Sequence, residues 1–489
     1  MYKPVTVLRV RCWDEYVGAL ALDQNTGYYA FEYHPGFQGR GIELAPLALP
    51  VRESGQHVFA QLPEKTYHRL PPFIADSLPD DFGNSLINAW MAGQGIAPGT
   101  ITSLDRLAYI GSRGMGALEY IPAIEGVPKA KPSALEMNEL VTQARKAVDV
   151  GLSCADVGLS RADLSLSHDS ACAGSPEKEL AQLIQVGTSA GGGRAKAVVG
   201  FNPQTEQFIS GQFDVPQGFE HWIIKFDVSS ATMDRLGASR EHGRKGHGQK
   251  GRRWTGHNPQ EYGRKGHGRI GYGPQEYGRI EYAYYLMARD CGIAMEESRL
   301  YEALGRAHFM TKRFDRGKLG ERHHLQTLCA MAQLDYNQLR AHDYSQLFLT
   351  ARELDLPLKA HDELFRRMVF NVACSNKDDH TKNHSFRLKK GGIWELSPAY
   401  DITHAHGLGA DSWTVQHIMG VGGVFIDITH KDVLALAQRH AVRSPEVLLG
   451  RVLDVAGNWS EYADRAGLGA SEKDRVGKDI RHCCALLER

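Results

Sequence analysis

The chain has 489 residues, of which 42% are hydrophobic and 23% are charged, so its composition is that of a globular protein and excludes disorder throughout. The 57 lysines and arginines balance the 57 aspartates and glutamates, which excludes a protein that binds polyanions through its overall charge. No apolar run approaches the roughly 18 residues of a membrane span, and the eight cysteines have neither zinc-site nor disulfide-framework spacing. We therefore expect a cytoplasmic protein with reduced thiols and no contact with a membrane.

Residues 1–125 have the pattern of a β-rich N-terminal subdomain. The alternation of apolar residues predicts three strands, over 5–10, 17–22 and 28–31. Asp80 precedes an amphipathic stretch that reaches Gly93, and an acidic residue before such a stretch is a typical helix start. This part of the chain is therefore predicted to combine a sheet with one or two helices.

The rest of the chain is predicted to change from strands to helices. Residues 126–180 are rich in Pro, Ser, Ala and Asp and indicate a connector with one helix over 134–149. Strand patterns return at three places, over 183–186, 196–199 and 222–226. Residues 326–489 have mainly helical spacing, which a single hairpin over 384–397 interrupts.

A short internal repeat lies within residues 237–278. The sequence GRKGHG at 243–248 recurs at 263–268, and the segment contains 12 of the 52 glycines. Such a composition buries too little apolar surface to offset the entropy of ordering. We predict a disordered basic insert, with contact to a nucleic acid or an acidic partner as the alternative.

The clearest chemical motif follows a predicted amphipathic helix over 363–370. Asp378 precedes Asn383 by five residues, and Asp401 follows the hairpin. Protein kinases place an Asp, an Asn and a later metal-binding Asp in this order, because phosphoryl transfer needs a base and hard oxygen ligands for Mg²⁺. The alternative is that Asp378 and Asp379 cap a turn and Asn383 occupies a left-handed position.

Two upstream elements would complete a nucleotide site. The segment 186–196 contains three consecutive glycines between predicted strands, so its backbone N–H groups could approach phosphate oxygens, although a plain flexible loop is the alternative. It lacks the G-K-[ST] ending of a Walker A loop. Lys225 lies on an apolar strand and requires an anion, which ATP or Glu281 would supply, unless it is simply an edge-strand charge. We therefore predict a nucleotide-binding part over 181–325 and a catalytic lobe over 326–489.

In combination, these motifs resemble those of the HipA family of bacterial serine/threonine kinases, the toxins of type II toxin–antitoxin modules. The resemblance covers about 1–125 and 180–430 and implies an α+β, protein-kinase-like two-lobed fold. The segments that carry it are 78–81, 110–118, 188–193, 223–225, 312–316, 378–383 and 396–401.

The resemblance implies a role for each residue of the catalytic motif. Asp378 would be the catalytic base, and Asn383 and Asp401 would bind Mg²⁺. His380 and Lys382 would orient the loop or contact the transferred phosphoryl group.

The nucleotide-binding groups are also implied by the resemblance. Lys225 would hold the ATP phosphates, with Glu281 as its partner. The glycine-rich loop at the nucleotide would consist of Ser189, Ala190, Gly191, Gly192 and Gly193. Ser189 matches the serine that the family autophosphorylates, and a phosphate there would inhibit the kinase by charge repulsion.

The resemblance further implies a protein substrate, which for some members of the family is an aminoacyl-tRNA synthetase. It implies a small helix-turn-helix antitoxin, through which DNA would be contacted only indirectly. The insert at 237–278 departs from the family, which usually has a shorter loop there. Two other functions stay open: a small-molecule phosphotransferase, or an inactive scaffold that binds a partner through the insert.

Overall fold

The structure is a computed structural model, and it describes residues 2–123, 135, 137–142, 195–227, 276–317, 320–406 and 413–488. Within the predicted connector, residues 137–142 are helical, and the rest of the helix predicted over 134–149 lies largely outside the described residues. The strand predicted over 183–186 and nearly all of the insert also lie outside them.

An antiparallel sheet forms the N-terminal subdomain, with the strand order β4-β3-β2-β1-β5. Its strands are β1 (Val7–Cys12), β2 (Glu15–Leu22), β3 (Tyr29–Tyr33), β4 (Gln56–His57) and β5 (Leu118–Ile121). Leu8, Val10 and Cys12 alternate into the core, as the sequence pattern predicts. The helices beside it are Pro35–Gln38, Glu64–Tyr67, Pro72–Ala75, Asp81–Gly93 and Ser103–Ile110, with a 3₁₀ turn at Pro98–Thr100.

The helix predicted after Asp80 is confirmed over Asp81–Gly93. The Asp80 side chain caps its start by accepting a hydrogen bond from Gly83 N at 2.8 Å.

A second antiparallel sheet follows, with the order β7-β6-β8-β10-β9. Its strands are β6 (Lys196–Phe201), β7 (Phe208–Ser210), β8 (Glu220–Lys225), β9 (Ser298–Ala303) and β10 (Arg306–Lys312). The strand patterns at 196–199 and 222–226 predict β6 and β8 correctly. The sequence has no comparable strand pattern at β9 and β10. In β10, residues 307–310 are all buried, so buried and exposed positions do not alternate there.

Helix Tyr277–Asp290 packs against β9 and β10. A Cβ atom at Gly278 would collide with the carbonyl oxygen of Ala307, so glycine permits this close approach. The insert predicted over 237–278 is therefore too long at its end, because its last two residues belong to the first turn of this helix.

The C-terminal lobe is mainly helical and contains the predicted hairpin. Strands β13 (Ser385–Leu388) and β14 (Trp394–Leu396) form the hairpin, and β11 (His324–Thr327) pairs with β13. The predicted boundary between 325 and 326 thus falls inside β11, which belongs with the hairpin. Two two-residue strands, β12 (His342–Asp343) and β15 (Met419–Gly420), pair in parallel.

The helices of this lobe surround a common apolar core. They are Leu328–Met331, Tyr344–Glu353, Leu358–Ala373, His430–Arg439, Pro445–Gly457, Trp459–Arg465 and Ala470–Leu487, with 3₁₀ turns at Thr381–Asn383 and Trp413–Val415. Helix Leu358–Ala373 buries Leu364, Phe365 and Met368 completely, at helical spacing. None of the helices that the structure describes combines the length and hydrophobicity needed to cross a bilayer.

A buried ion network joins residues 114–116 of the N-terminal subdomain to residues 313–316, about 200 residues later in the chain. Asp315 accepts hydrogen bonds from Arg313 Nη2 at 2.7 Å, Arg316 Nη1 at 2.6 Å and Gly116 N at 2.7 Å. Burial opposes the charge of Asp315, but Arg313 and Arg316 outweigh it and hold its pKa well below the usual range. Arg316 also donates to Gly114 O at 3.1 Å, so the network attaches the N-terminal subdomain to the rest of the protein.

Asp315→Asn should lower the free energy of unfolding by about 3–5 kcal/mol, because two buried guanidinium groups lose their counter-charge. Urea unfolding of the variant and the parent measures this difference. Glu297→Gln removes the exposed partner of Arg299 and is the control, with an expected change below about 1 kcal/mol. A change for Asp315→Asn as small as that of the control would contradict the structural role of the network.

Candidate active site

Lys225, the last residue of β8, lies between two carboxylates. Its Nζ is 2.5 Å from Glu281 Oε1 and 2.6 Å from Asp401 Oδ1. Burial opposes the ammonium charge, but Asp401 and Glu281 outweigh burial and raise the pKa of Lys225. The lysine is therefore charged at neutral pH and connects the sheet, helix Tyr277–Asp290 and the segment after the hairpin.

The chain that follows helix Leu358–Ala373 is fixed by polar side chains. Asn376 Nδ2 donates to Asn371 Oδ1 at 3.0 Å, and Asn371 Nδ2 donates to Tyr344 Oη at 2.9 Å. Ser375 has a φ of 53°, a left-handed conformation in which the chain leaves the helix direction. These contacts set the direction in which the loop with Asp378 begins.

Asp379 anchors this loop inside the protein. Its side chain is fully buried and accepts hydrogen bonds from Tyr344 Oη and His417 Nδ1, both at 2.9 Å. The backbone N–H of Ile418 donates to it as well, at 2.8 Å. Four well-placed donors, including Met419 N at 3.3 Å, compensate the burial of this carboxylate. No sequence pattern indicates this role of Asp379, because its donors lie far from it in the chain.

Asp378, the adjacent residue, has a different environment. Its side chain is 32% exposed, and its Oδ1 lies 3.4 Å from His380 Nε2. Asn383 Nδ2 donates to the backbone carbonyl of Asp378 at 2.7 Å, across the 3₁₀ turn Thr381–Asn383. The five-residue spacing of Asp378 and Asn383 in the sequence therefore corresponds to one loop, which this hydrogen bond closes.

Of the two other loop residues that the sequence suggests, His380 is close to Asp378, and Lys382 points at an aromatic ring. Burial lowers the pKa of His380 to about 4, so its imidazole is neutral at pH 7. Lys382 Nζ lies 4.6 Å from the centre of the Tyr336 ring. Burial opposes the charge of Lys382, but Tyr336 and Asp76 raise its pKa.

Asn383 and Asp401 line one cavity, together with Tyr400 and Asn376. Asp401 has a φ of 56°, and its neighbour Tyr400 donates from Oη to the Lys382 carbonyl at 2.6 Å. Because the amide nitrogen of Asn383 is used by the Asp378 carbonyl, the amide oxygen is its available ligand atom. One amide oxygen and one carboxylate are the hard donors that suit Mg²⁺, so these residues fit the ion.

The predicted glycine-rich loop, with Ser189, Ala190, Gly191, Gly192 and Gly193, lies outside the described residues. The strand that follows it, β6, pairs with β8 so that Lys196 is directly opposite Lys225. Lys196 Nζ is 3.1 Å from Asp80 Oδ2, and both side chains are buried. This link between the N-terminal subdomain and the strand after the loop leaves no pattern in the sequence, because Asp80 and Lys196 are more than 100 residues apart.

The fold and the site define a two-lobed, protein-kinase-like α+β protein with a β-rich N-terminal subdomain and a mainly helical C-terminal lobe. The family model described as HipA-like C-terminal domain matches residues 188–459, and that described as HipA N-terminal domain matches residues 8–121. The chain therefore belongs to the HipA family.

A solved structure of a HipA protein agrees with this fold. HipA of Shewanella oneidensis MR-1, solved with HipB and its operator DNA, has a TM-score of 0.61 at 16% identity, covering 99% of this chain and 97% of that one. The Helicobacter pylori proinflammatory kinase CtkA has a TM-score of only 0.31 at 12% identity, covering 44% of this chain and 85% of that one, which is too slight a likeness to support any inference. A search of curated proteins found no significant match.

Lowering the pH from 7 to 5 should reduce the free energy of unfolding by about 2 kcal/mol through His380. In this range the histidine of the unfolded chain binds a proton, whereas the folded one, with a pKa of about 4, stays mostly neutral. Urea unfolding at both pH values measures the difference. His380→Gln should reduce it, whereas His482→Gln, at a side chain that is 67% exposed, should leave it unchanged. Equal pH dependence of His380→Gln and the parent would contradict the assignment. Burial also lowers the pKa values of His221, His324 and His384 to about 4, so part of the pH dependence remains in every variant.

Proposed function

We propose that this protein is an ATP-dependent serine/threonine protein kinase that acts as the toxin of a toxin–antitoxin pair. The observation that supports it most directly is the lysine held by two carboxylates, one of which shares a cavity with Asn383. Few functions other than the binding of a metal–phosphate ligand would need a charged lysine, an amide and an acid at one place. Membership of the HipA family supports the same proposal.

In this proposal Lys225 provides the positive charge for the nucleotide phosphates. Glu281, whose side chain is only 3% exposed, holds the ammonium group in place from the side of the helix. A lysine fixed in this way loses little entropy when an anion arrives, which favours binding. Asn383 and Asp401 are the proposed ligands of Mg²⁺, and the bound Mg-ATP would supply the phosphoryl group with its charge partly neutralised.

Asp378 is the proposed base that accepts the proton of the substrate hydroxyl. Its partial exposure makes it accessible to a protein side chain, whereas the adjacent Asp379 is fully buried and used by the fold. The hydrogen bond from Asn383 to the Asp378 backbone fixes the position of the base. The neutral His380, 3.4 Å away, does not supply a fixed positive charge that would weaken Asp378 as a base.

Asp378→Asn should reduce phosphate transfer from labelled ATP by about 10²–10⁴-fold, because general base catalysis is lost while the shape of the side chain is kept. The thermal unfolding midpoint should stay close to that of the parent. Asp427→Asn, at an acid that is 66% exposed, is the matched control and should transfer phosphate at the parent rate. Unchanged turnover in Asp378→Asn would rule out the proposed base.

We also propose that Ser189 limits the activity by autophosphorylation. The family resemblance assigns Ser189 to the loop at the nucleotide, and a phosphate on this serine would add nearly two negative charges to that loop. These charges would compete with ATP for Lys225.

Preincubation with Mg-ATP should therefore phosphorylate Ser189 and lower the activity of the parent progressively, which peptide mass spectrometry and timed kinase assays measure. Ser189→Ala should keep its activity during preincubation, while Thr188→Ala should still be phosphorylated at Ser189. An active parent whose Ser189 peptide stays unmodified would contradict the autoinhibition.

For the partners, we propose a protein substrate, with an aminoacyl-tRNA synthetase as the first candidate. The similar Shewanella protein was solved with HipB and operator DNA, and on that basis we propose a small helix-turn-helix antitoxin for this chain too. DNA would be contacted indirectly, through the antitoxin. The balanced overall charge supports indirect contact with DNA, because a chain without net charge has no general attraction to polyanions.

A further inference from the structure

Two histidines and one aspartate meet in the helical lobe, in addition to the residues assigned to the nucleotide. His404, His406 and Asp479 bring one potential ligand atom each to within 4.8 Å of one another. Asp479 Oδ2 lies 2.9 Å from His404 Nε2 and 2.9 Å from His406 Nδ1. No role in phosphoryl transfer accounts for this cluster.

The backbone explains why both histidines are on the same side. Ala405 is bridged in parallel to Asn376, donates from its N–H to Ser375 O at 3.2 Å and accepts from Lys377 N at 3.1 Å. Residues two apart in an extended segment point to the same side, so His404 and His406 both face helix Ala470–Leu487, which carries Asp479. The cluster therefore combines a bridged, extended segment with a helix.

The charges of the cluster suit a cation. Burial lowers the pKa of His404, so its imidazole is neutral at pH 7 and can act as a ligand. Burial opposes the charge of Asp479, but its close contacts with His404 and His406 hold its pKa below the usual range. Two imidazoles and one carboxylate are a common ligand set for zinc and similar ions.

We propose that His404, His406 and Asp479 form a binding site for a divalent transition metal ion of the zinc type. Around a tetrahedral zinc, ligand atoms about 2.0–2.1 Å from the metal are about 3.3 Å apart, which is close to the 2.9 Å between Asp479 Oδ2 and each imidazole nitrogen and below the 4.8 Å within which all three ligand atoms lie. Three protein ligands leave the fourth position for water. The ion would fasten helix Ala470–Leu487 to the segment that follows Asp401.

Arg475 is the group that opposes metal binding. Its Nη1 lies 3.4 Å from His404 Nδ1, and a metal on Nε2 leaves Nδ1 protonated, so two donors would then face each other. Arg475 has an alternative partner in Glu472, whose Oε2 accepts from it at 2.7 and 3.1 Å. The proposed site thus requires Arg475 to stay with Glu472 when the ion binds.

The test is a titration of the metal-stripped full-length protein with Co²⁺, followed by its visible absorption, and with Zn²⁺, followed by calorimetry. We expect one ion per chain at this site. His404→Ala and His406→Ala should each weaken binding by at least about tenfold, and Arg475→Ala should strengthen it. His482→Ala, on the same helix with a side chain that is 67% exposed, is the matched control and should bind like the parent.

Two features keep the outcome unambiguous. The insert contains four further histidines, at 242, 247, 257 and 267, and binding that persists in His404→Ala and His406→Ala would assign the ion to other residues and overturn the proposal. Because His404 is buried, His406→Ala repeats the test at the exposed side of the cluster, where the side chain is 28% exposed. Absence of saturable binding in the folded parent would show that the cluster is an ion-pair network alone.

Discussion

The contact of Lys225 with Glu281 and Asp401 is the interaction on which the arrangement of the site depends. One buried cation with two carboxylates is stable only while all three charges stay together, because separation would leave like charges without compensation. Since the three residues come from a strand, a helix and the segment after the hairpin, the contact fixes these elements relative to one another. The site is therefore a consequence of how the sheet and the helical lobe are joined.

The loop that follows helix Leu358–Ala373 shows how two adjacent acids come to have different environments. Asp379 is fully buried and satisfied by donors from two side chains and two backbone groups, so its charge serves the fold. Asp378 is partly exposed, and its backbone, not its side chain, receives the hydrogen bond from Asn383. The anchoring of Asp379 thus also fixes the backbone at Asp378, the next residue of the same loop.

The sequence predicted those features that short stretches of chain determine. The alternation in β1, the cap at Asp80 and the spacing of Asp378 and Asn383 are local, and the family resemblance rests on such motifs. Strand β10 was not predicted, because a strand buried on both faces has no alternation to detect. Contacts between distant residues, such as Lys196 with Asp80, also leave no pattern in the sequence.

The position of Asp401 is determined from both of its ends, and this connects the candidate site with the histidine cluster. On one side Ala399 N donates to Ala294 O at 2.7 Å, and on the other Ala405 is bridged to Asn376 at the start of the loop that contains Asp378. Asp401 has a φ of 56°, a left-handed conformation that is unfavourable for aspartate. Such a conformation persists when the surrounding contacts fix the chain on both sides, as they do here. Because His404 and His406 flank Ala405, whatever holds helix Ala470–Leu487 against them also restrains the segment that presents Asp401 to Lys225.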